Sequence, residues 1–106
     1  MSKIVIIYCT SPSNEISEKI IKELLSSKVA ACCSILPGIH SHYIWEGKIE
    51  NQTEFLLMIK TREENFNTIE KIILDVHPYE TPEILAVPVY QGNEKYISWI
   101  NQVVMV

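Results

Sequence analysis

Two stretches of this 106-residue chain are apolar without interruption, Ile4-Val5-Ile6-Ile7-Tyr8 and Phe55-Leu56-Leu57-Met58-Ile59. Short, unbroken runs of this kind read as strands buried on both faces. They restrict the fold strongly, because each needs apolar cover above and below. Between and beyond them the period changes. Ile16, Ile20, Ile21, Leu24 and Leu25 form one helical stripe, and Phe66, Ile69, Ile72, Ile73 and Val76 form a second.

The punctuation fits that reading. Ser11-Pro12 reads as an N-cap followed by proline at the first helical position, and Lys28 closes the first helix. Residues 29–45 read as one long strand with a bulge or bend at Pro37-Gly38, since proline is excluded from central ladders. Past that break Ile39, Ser41, Tyr43 and Trp45 share one face, and His40, His42 and Ile44 the other. Glu46-Gly47 is a hairpin signal. Thr61-Arg62-Glu63-Glu64 reads as a capping box for the second helix. Ile84–Val89 is a further strand, with Pro88 marking an edge or a bulge. Asn93 caps a last helix with Tyr96, Ile97, Ile100 and Val103 inward.

The resulting order, β-α-β-β-α-β-α, predicts one α+β domain over 1–106, a ferredoxin-like split βαβ pair with an extra C-terminal helix. In that scheme strands one and three are parallel neighbours and strand four lies beside strand two. Two helices cover one face of a four-stranded sheet. The other face needs cover too, and a partner subunit is the simplest source.

Composition narrows the function classes. The net charge is −4, and Lys and Arg are scattered, which argues against a nucleic-acid footprint. No apolar run approaches transmembrane length, and Met1-Ser2-Lys3 leads straight into the first strand without a signal-peptide core, so a cytoplasmic location and no membrane partner are expected. Three cysteines without a C-x-x-C pair make a disulfide framework or structural zinc knot an unsuitable reading. With three glycines there is no phosphate loop. No nucleophile elbow or zinc-protease helix appears, so no catalytic residue is assigned and no enzyme is expected.

Five features are candidates for chemistry. Cys9 ends the first strand just before a helix N-terminus, whose dipole would favour the thiolate that a soft ion such as Cu(I) binds. Its plain alternative is a small buried hydrophobe. His77 ends the second helix, where a protonated ring would complement the dipole or cap the last carbonyls. The predicted topology does not pair it with Cys9 inside one chain. His40-Ser41-His42 could chelate weakly through two rings on one strand face. Adjacent Cys32 and Cys33 point to opposite faces and read as packing residues. Finally, His77-Pro78-Tyr79-Glu80-Thr81-Pro82-Glu83 is stiffened by two prolines and is a suitable place to build a site.

Ala30-Ala31-Cys32 through Ile35-Leu36-Pro37-Gly38-Ile39, with Tyr43-Ile44-Trp45-Glu46-Gly47-Lys48, resembles the signature block of the CutA family of divalent-cation tolerance proteins. His77–Glu83 resembles that family's second block, and Val5–Thr10 and Asn93–Ile100 fit its first strand and last helix. The resemblance implies a ferredoxin-like protomer in a tight homotrimer, acting in the response to metal ions. It implies no required cofactor, with copper or another divalent cation as the bound ion. The family's proposed ligands are a cysteine after the first strand and two successive histidines before Pro-Tyr. Cys9 and His77 match two of them, and Val76 stands where the other histidine would be. An arrangement between subunits could bring Cys9 and His77 together. Kinship in architecture with trimeric PII signalling proteins implies an alternative: a small-ligand sensor or partner-binding scaffold, with Trp45, Tyr79 and Glu80 near a lateral cleft.

Overall fold

The computed structural model describes residues 3–106. Met1 and Ser2, read above as leading directly into the first strand, lie outside the described residues. Strands β1 (Ile4–Ser11), β2 (Cys32–Trp45), β3 (Lys48–Arg62) and β4 (Ile84–Pro88) form one sheet in the order β2-β3-β1-β4. Helices α1 (Asn14–Ser26), α2 (Phe66–Val76) and α3 (Glu94–Val103) complete the chain. The α+β, ferredoxin-like expectation holds with two corrections to the pairing. β1 and β3 are neighbours but antiparallel, and β4 lies against β1 rather than β2. Each helical crossover spans one intervening strand, so every adjacent pair runs antiparallel.

Alternation along β1 decides what each face holds. Val5, Ile7 and Cys9 point with Leu57 and Ile59 toward Ile20 and Leu24 of α1 and Ile69 and Ile73 of α2. Ile7, Leu57, Ile59, Ile69 and Ile73 are fully buried there, each worth roughly 1.5–3 kcal/mol relative to exposure. Ile4 points the other way and is covered by Ile97, Ile100 and Val104 from α3 and the residue after it. α3 covers only that end. Leu36, Leu85 and Val87 stay 46–58% exposed farther along the same face.

Several local readings shift by a turn. The N-cap of α1 is Ser13, whose Oγ accepts from Ile16 N–H at 3.1 Å, not Ser11. Ser11 is instead the buried end of β1, bonded to Ser17 Oγ at 2.8 Å. Thr61 does not cap α2. It belongs to β3 and donates to Val29 O at 2.6 Å, while a 3-10 turn at Glu63–Asn65 leads into the helix. In α3, Asn93 caps as expected, accepting from Tyr96 N–H at 3.0 Å. Ile100 is buried, whereas Tyr96 and Val103 are partly solvent-exposed rather than inward.

The β2–β3 hairpin positions the site. Its register slips between Leu36 and Ile39, at Pro37-Gly38. It turns at Glu46-Gly47, both at positive φ, closed by Trp45 opposite Lys48. This is the two-residue turn that suits twisted strands. β1 pairs with β3 only from Phe55 to Arg62, so residues 39–54 of the hairpin run past it as a two-stranded arm. β4 pairs with β1 alone, which makes it the edge strand that Pro88 signals.

Candidate functional site at the tip of the first strand

The end of β1, the root of the hairpin arm and the 77–83 connector meet at one place. α2 stops at Val76, and His77 is extended, its backbone N–H bonded to Ile73 O at 2.8 Å. Pro78 accounts for that stop, because it disfavours helix at the residue before it. The His77 ring does not cap the helix. It reaches the first strand, with Nε2 2.7 Å from Thr10 O. Its Nδ1 accepts the Tyr79 N–H at 3.2 Å, so Nε2 carries the proton and donates it to Thr10. The ring is 7% exposed and lies 4.7 Å from the Tyr79 ring centroid.

Cys9 Sγ bonds the same Thr10 carbonyl, at 3.6 Å. Cys9 and His77 therefore converge within a single chain, which the expected strand order had not provided. The reason is the place of β4 beside β1, which brings the connector over the tip of β1. The expected thiolate is overturned. Cys9 is fully buried inside the strand, and its thiol is pushed up to about 12, first by burial and then by the charges of Glu83 and Glu54. Cys33 is likewise pushed up to about 12, by burial and by Cys32, and all three cysteines are free. Val76 packs against the core under the helices.

Beside this pair opens a cleft of about 670 Å³ whose lining includes Tyr43, Trp45, Glu54, Tyr79, Glu80 and Glu83. The three residues named for a cleft, Trp45, Tyr79 and Glu80, thus share one cavity within a single chain. A network holds its floor. Tyr79 Oη donates to Glu54 Oε2 at 3.0 Å, Gln52 Nε2 donates to the same oxygen at 2.9 Å, and Gln52 Nε2 also donates to Tyr79 Oη. Tyr43 Oη donates to Gln52 Oε1 at 3.4 Å. Burial and the bond to Glu54 raise the Tyr79 phenol above its ordinary value, so it stays a neutral donor. His42 reaches the cleft edge, and His40 does not line it. Among the described residues no three His, Cys, Asp or Glu side chains form a metal-holding group.

Glu54, Gln52 and the Thr10 carbonyl were not singled out from sequence. Glu54 sits in a polar stretch, Glu50-Asn51-Gln52-Thr53-Glu54, that reads as hairpin surface. The usable signal was spacing: Gln52 and Glu54 are two apart on a strand and share a face, on the return arm opposite Ser41 and Ile39. Thr10 acts through its backbone, which leaves no mark in a sequence.

The fold and this site define a class: a small ferredoxin-like α+β protomer with a buried thiol–imidazole pair and an acidic, aromatic cleft at one sheet end. Residues 5–103 match the family described as CutA1 divalent ion tolerance protein. The Archaeoglobus fulgidus divalent-cation tolerance protein CutA is 45% identical over 98 residues, covering 92% of this chain and 95% of that one. A CutA homolog of Xenopus laevis is 40% identical over 97 residues, 92% of this chain. This chain spans 64% of the Xenopus relative's length and 55% of a chloroplastic rice relative's. Among solved structures, rice CutA1 superposes with a TM-score of 0.94 at 36% identity, covering 98% of this chain and 95% of that one. The structure described as the periplasmic divalent cation tolerance protein CutA of A. fulgidus gives 0.92 at 43% identity, covering 96% and 99%. The chain belongs to the CutA1 divalent ion tolerance family.

Proposed function

We propose that this chain acts in tolerance of divalent cations as a self-associating, non-catalytic binding protein, and that Cys9 and His77 would hold the ion, copper or another divalent cation. The observation that carries this reading is the convergence of both side chains on the Thr10 carbonyl. A sulfur and an imidazole suit soft or borderline ions, so the donor types fit copper and zinc. The charges of Glu54 and Glu83, which oppose a bare thiolate at Cys9, favour a cation there. Two donors are an incomplete set, with Val76 in place of a third, so the remaining positions fall to solvent or a neighbouring copy. No resident cofactor is needed.

Self-association as a homotrimer is supported by the apolar sheet face that α3 leaves uncovered. No helix among the described residues is long and apolar enough to cross a membrane. Three free thiols suit a reducing compartment, which supports a cytoplasmic location, although one A. fulgidus relative is described as periplasmic.

To ligate, Cys9 gives up its thiol proton, while His77 stays a neutral imidazole and lends a ring-nitrogen lone pair, at Nε2 once the ring proton has moved to Nδ1. Affinity therefore climbs with pH. The test is calorimetric titration of the reduced protein with Cu(I) and Zn(II), repeated at higher pH and on Cys9→Ser and His77→Ala. The reading predicts tighter binding at higher pH, lost in both variants. Binding indifferent to both substitutions contradicts it.

A second reading rests on the Tyr79–Gln52–Glu54 network, which fixes the floor of a ligand-sized cleft. In this reading the protein senses a small ligand between Trp45, Tyr79 and Glu80.

A further inference from the structure

The cleft floor states its own chemical preference once its donors are counted. Both amide hydrogens of Gln52 are used, on Tyr79 Oη and on Glu54 Oε2. Gln52 Oε1 takes the Tyr43 hydroxyl proton, and the Tyr79 hydroxyl proton goes to Glu54. No donor of this network is left for a ligand. What remains is acceptor capacity. Glu54 is 4% exposed and receives bonds from Tyr79 and Gln52 on Oε2, while among the described residues none is seen on Oε1. That nearly buried carboxylate meets solvent only through the cavity, so a cation with N–H donors at its open oxygen gains charge and hydrogen bonding together.

The rest of the lining has the same sign. Glu80 and Glu83 add two carboxylates, and among the described residues no Lys or Arg lines the cavity. An anionic ligand would meet repulsion from three carboxylates with only His42, at the cleft edge, to offset it. Above the carboxylates stand the rings of Tyr43, Trp45 and Tyr79, with Trp45 half-exposed and free to receive a ligand. Aromatic faces next to carboxylates attract organic cations twice, through the ring quadrupole and through charge. A bare divalent ion fits less well, because it needs several converging oxygens and no three-residue donor group exists among the described residues.

We propose that the cleft binds a small organic cation bearing N–H donors, a primary ammonium or guanidinium group, seated on Glu54 Oε1 and flanked by Trp45 and Tyr79. This assignment rests on the cleft reading above and names its ligand class. It requires no ion at Cys9 and His77, although the Glu54 charge acts on both places.

The probes are n-butylammonium and n-butylguanidinium, with tetramethylammonium, butanol and butyrate as comparisons, titrated into the full chain by calorimetry and Trp fluorescence. The two N–H cations bind saturably. Glu54→Gln, which keeps the side chain's shape, weakens them by about tenfold or more, the loss expected of one charge-assisted hydrogen bond. Tetramethylammonium, lacking N–H, binds about tenfold more weakly than butylammonium for the same reason. Glu18→Gln, on the exposed side of α1, leaves all of this unchanged. Glu80→Gln, at an exposed carboxylate, gives a smaller loss in the same direction and serves if Glu54→Gln unfolds. Butyrate or butanol binding, lost in Trp45→Ala while the cations fail, overturns the ligand class and keeps the cleft. Failure of every probe overturns both. Cation binding unaffected by Glu54→Gln and Glu80→Gln in folded protein also overturns the assignment.

Discussion

The two faces of the sheet are built from the same residue types on the same strands, yet they end in opposite states. Under α1 and α2, Ile7, Leu57 and Ile59 are completely buried. On the reverse, Leu85 is 58% exposed and Val87 46%, although they stand on the strand paired directly with β1. Propensity cannot explain the difference, since both sets are aliphatic. It follows from the count of covering elements: two helices serve one face, and α3 serves only the Ile4 end of the other. The lesson is that one chain spends about half of its apolar sheet on its own stability. The remainder is available for contact with copies of itself, as proposed above.

Substitutions can break or sharpen that contrast. The largest effect on folding belongs to the covered face. Leu57→Ala is expected to cost about 2–5 kcal/mol, read by chemical denaturation, because a packed site cannot collapse onto the cavity. A loss comparable to that of a surface change would undo the contrast. Alkaline pH acts on the same side. Cys9 and Cys33 both belong to the covered core, and their thiols are pushed from 9.0 up to about 12. An acid raised on folding lends stability that is complete below its unfolded value and is lost as pH climbs toward its folded value. Stability should therefore decline from about pH 9 upward, and Cys33→Ala should decline less steeply. Denaturation curves along that pH series decide it, and a flat profile in the parent chain counts against buried thiols.

Smaller effects refine the picture. Ser13→Ala removes the cap of a covering helix and should cost about 1 kcal/mol. Leu85→Ala, measured where the chain is dissociated, should change stability by no more than about 0.5 kcal/mol, since the residue is already in water. A cost like that of Leu57→Ala would mean the reverse face is covered within the chain itself.

Much of this architecture was legible because local patterns and tertiary needs agree. The Ile16, Ile20 and Leu24 stripe became α1, the Pro37-Gly38 break became the register slip, and Glu46-Gly47 became the turn. What the residues did not show was long-range. Nothing local says that β4 lies beside β1, yet that placement brings His77 to Thr10. Thr61 was misread as a cap because its side chain is used across the fold, where it bonds Val29 O, as Asn65 also does. Cys9 was read from its neighbour in sequence, a helix start, whereas its chemistry is set by burial and by Glu54 and Glu83 from elsewhere. The cleft was legible in its aromatic rim, Trp45 and Tyr79, and hidden in its floor. Gln52 and Glu54 look like hairpin surface until the connector folds over them.

The most direct test of the uncovered face is the solution mass of the chain by light scattering, before and after Leu85→Lys with Val87→Lys. The account predicts three times the 12.2 kDa chain mass for the parent. For the variant it predicts a single chain mass with helices and sheet intact. A parent that runs as one chain, or a doubly charged variant that still assembles, would contradict it.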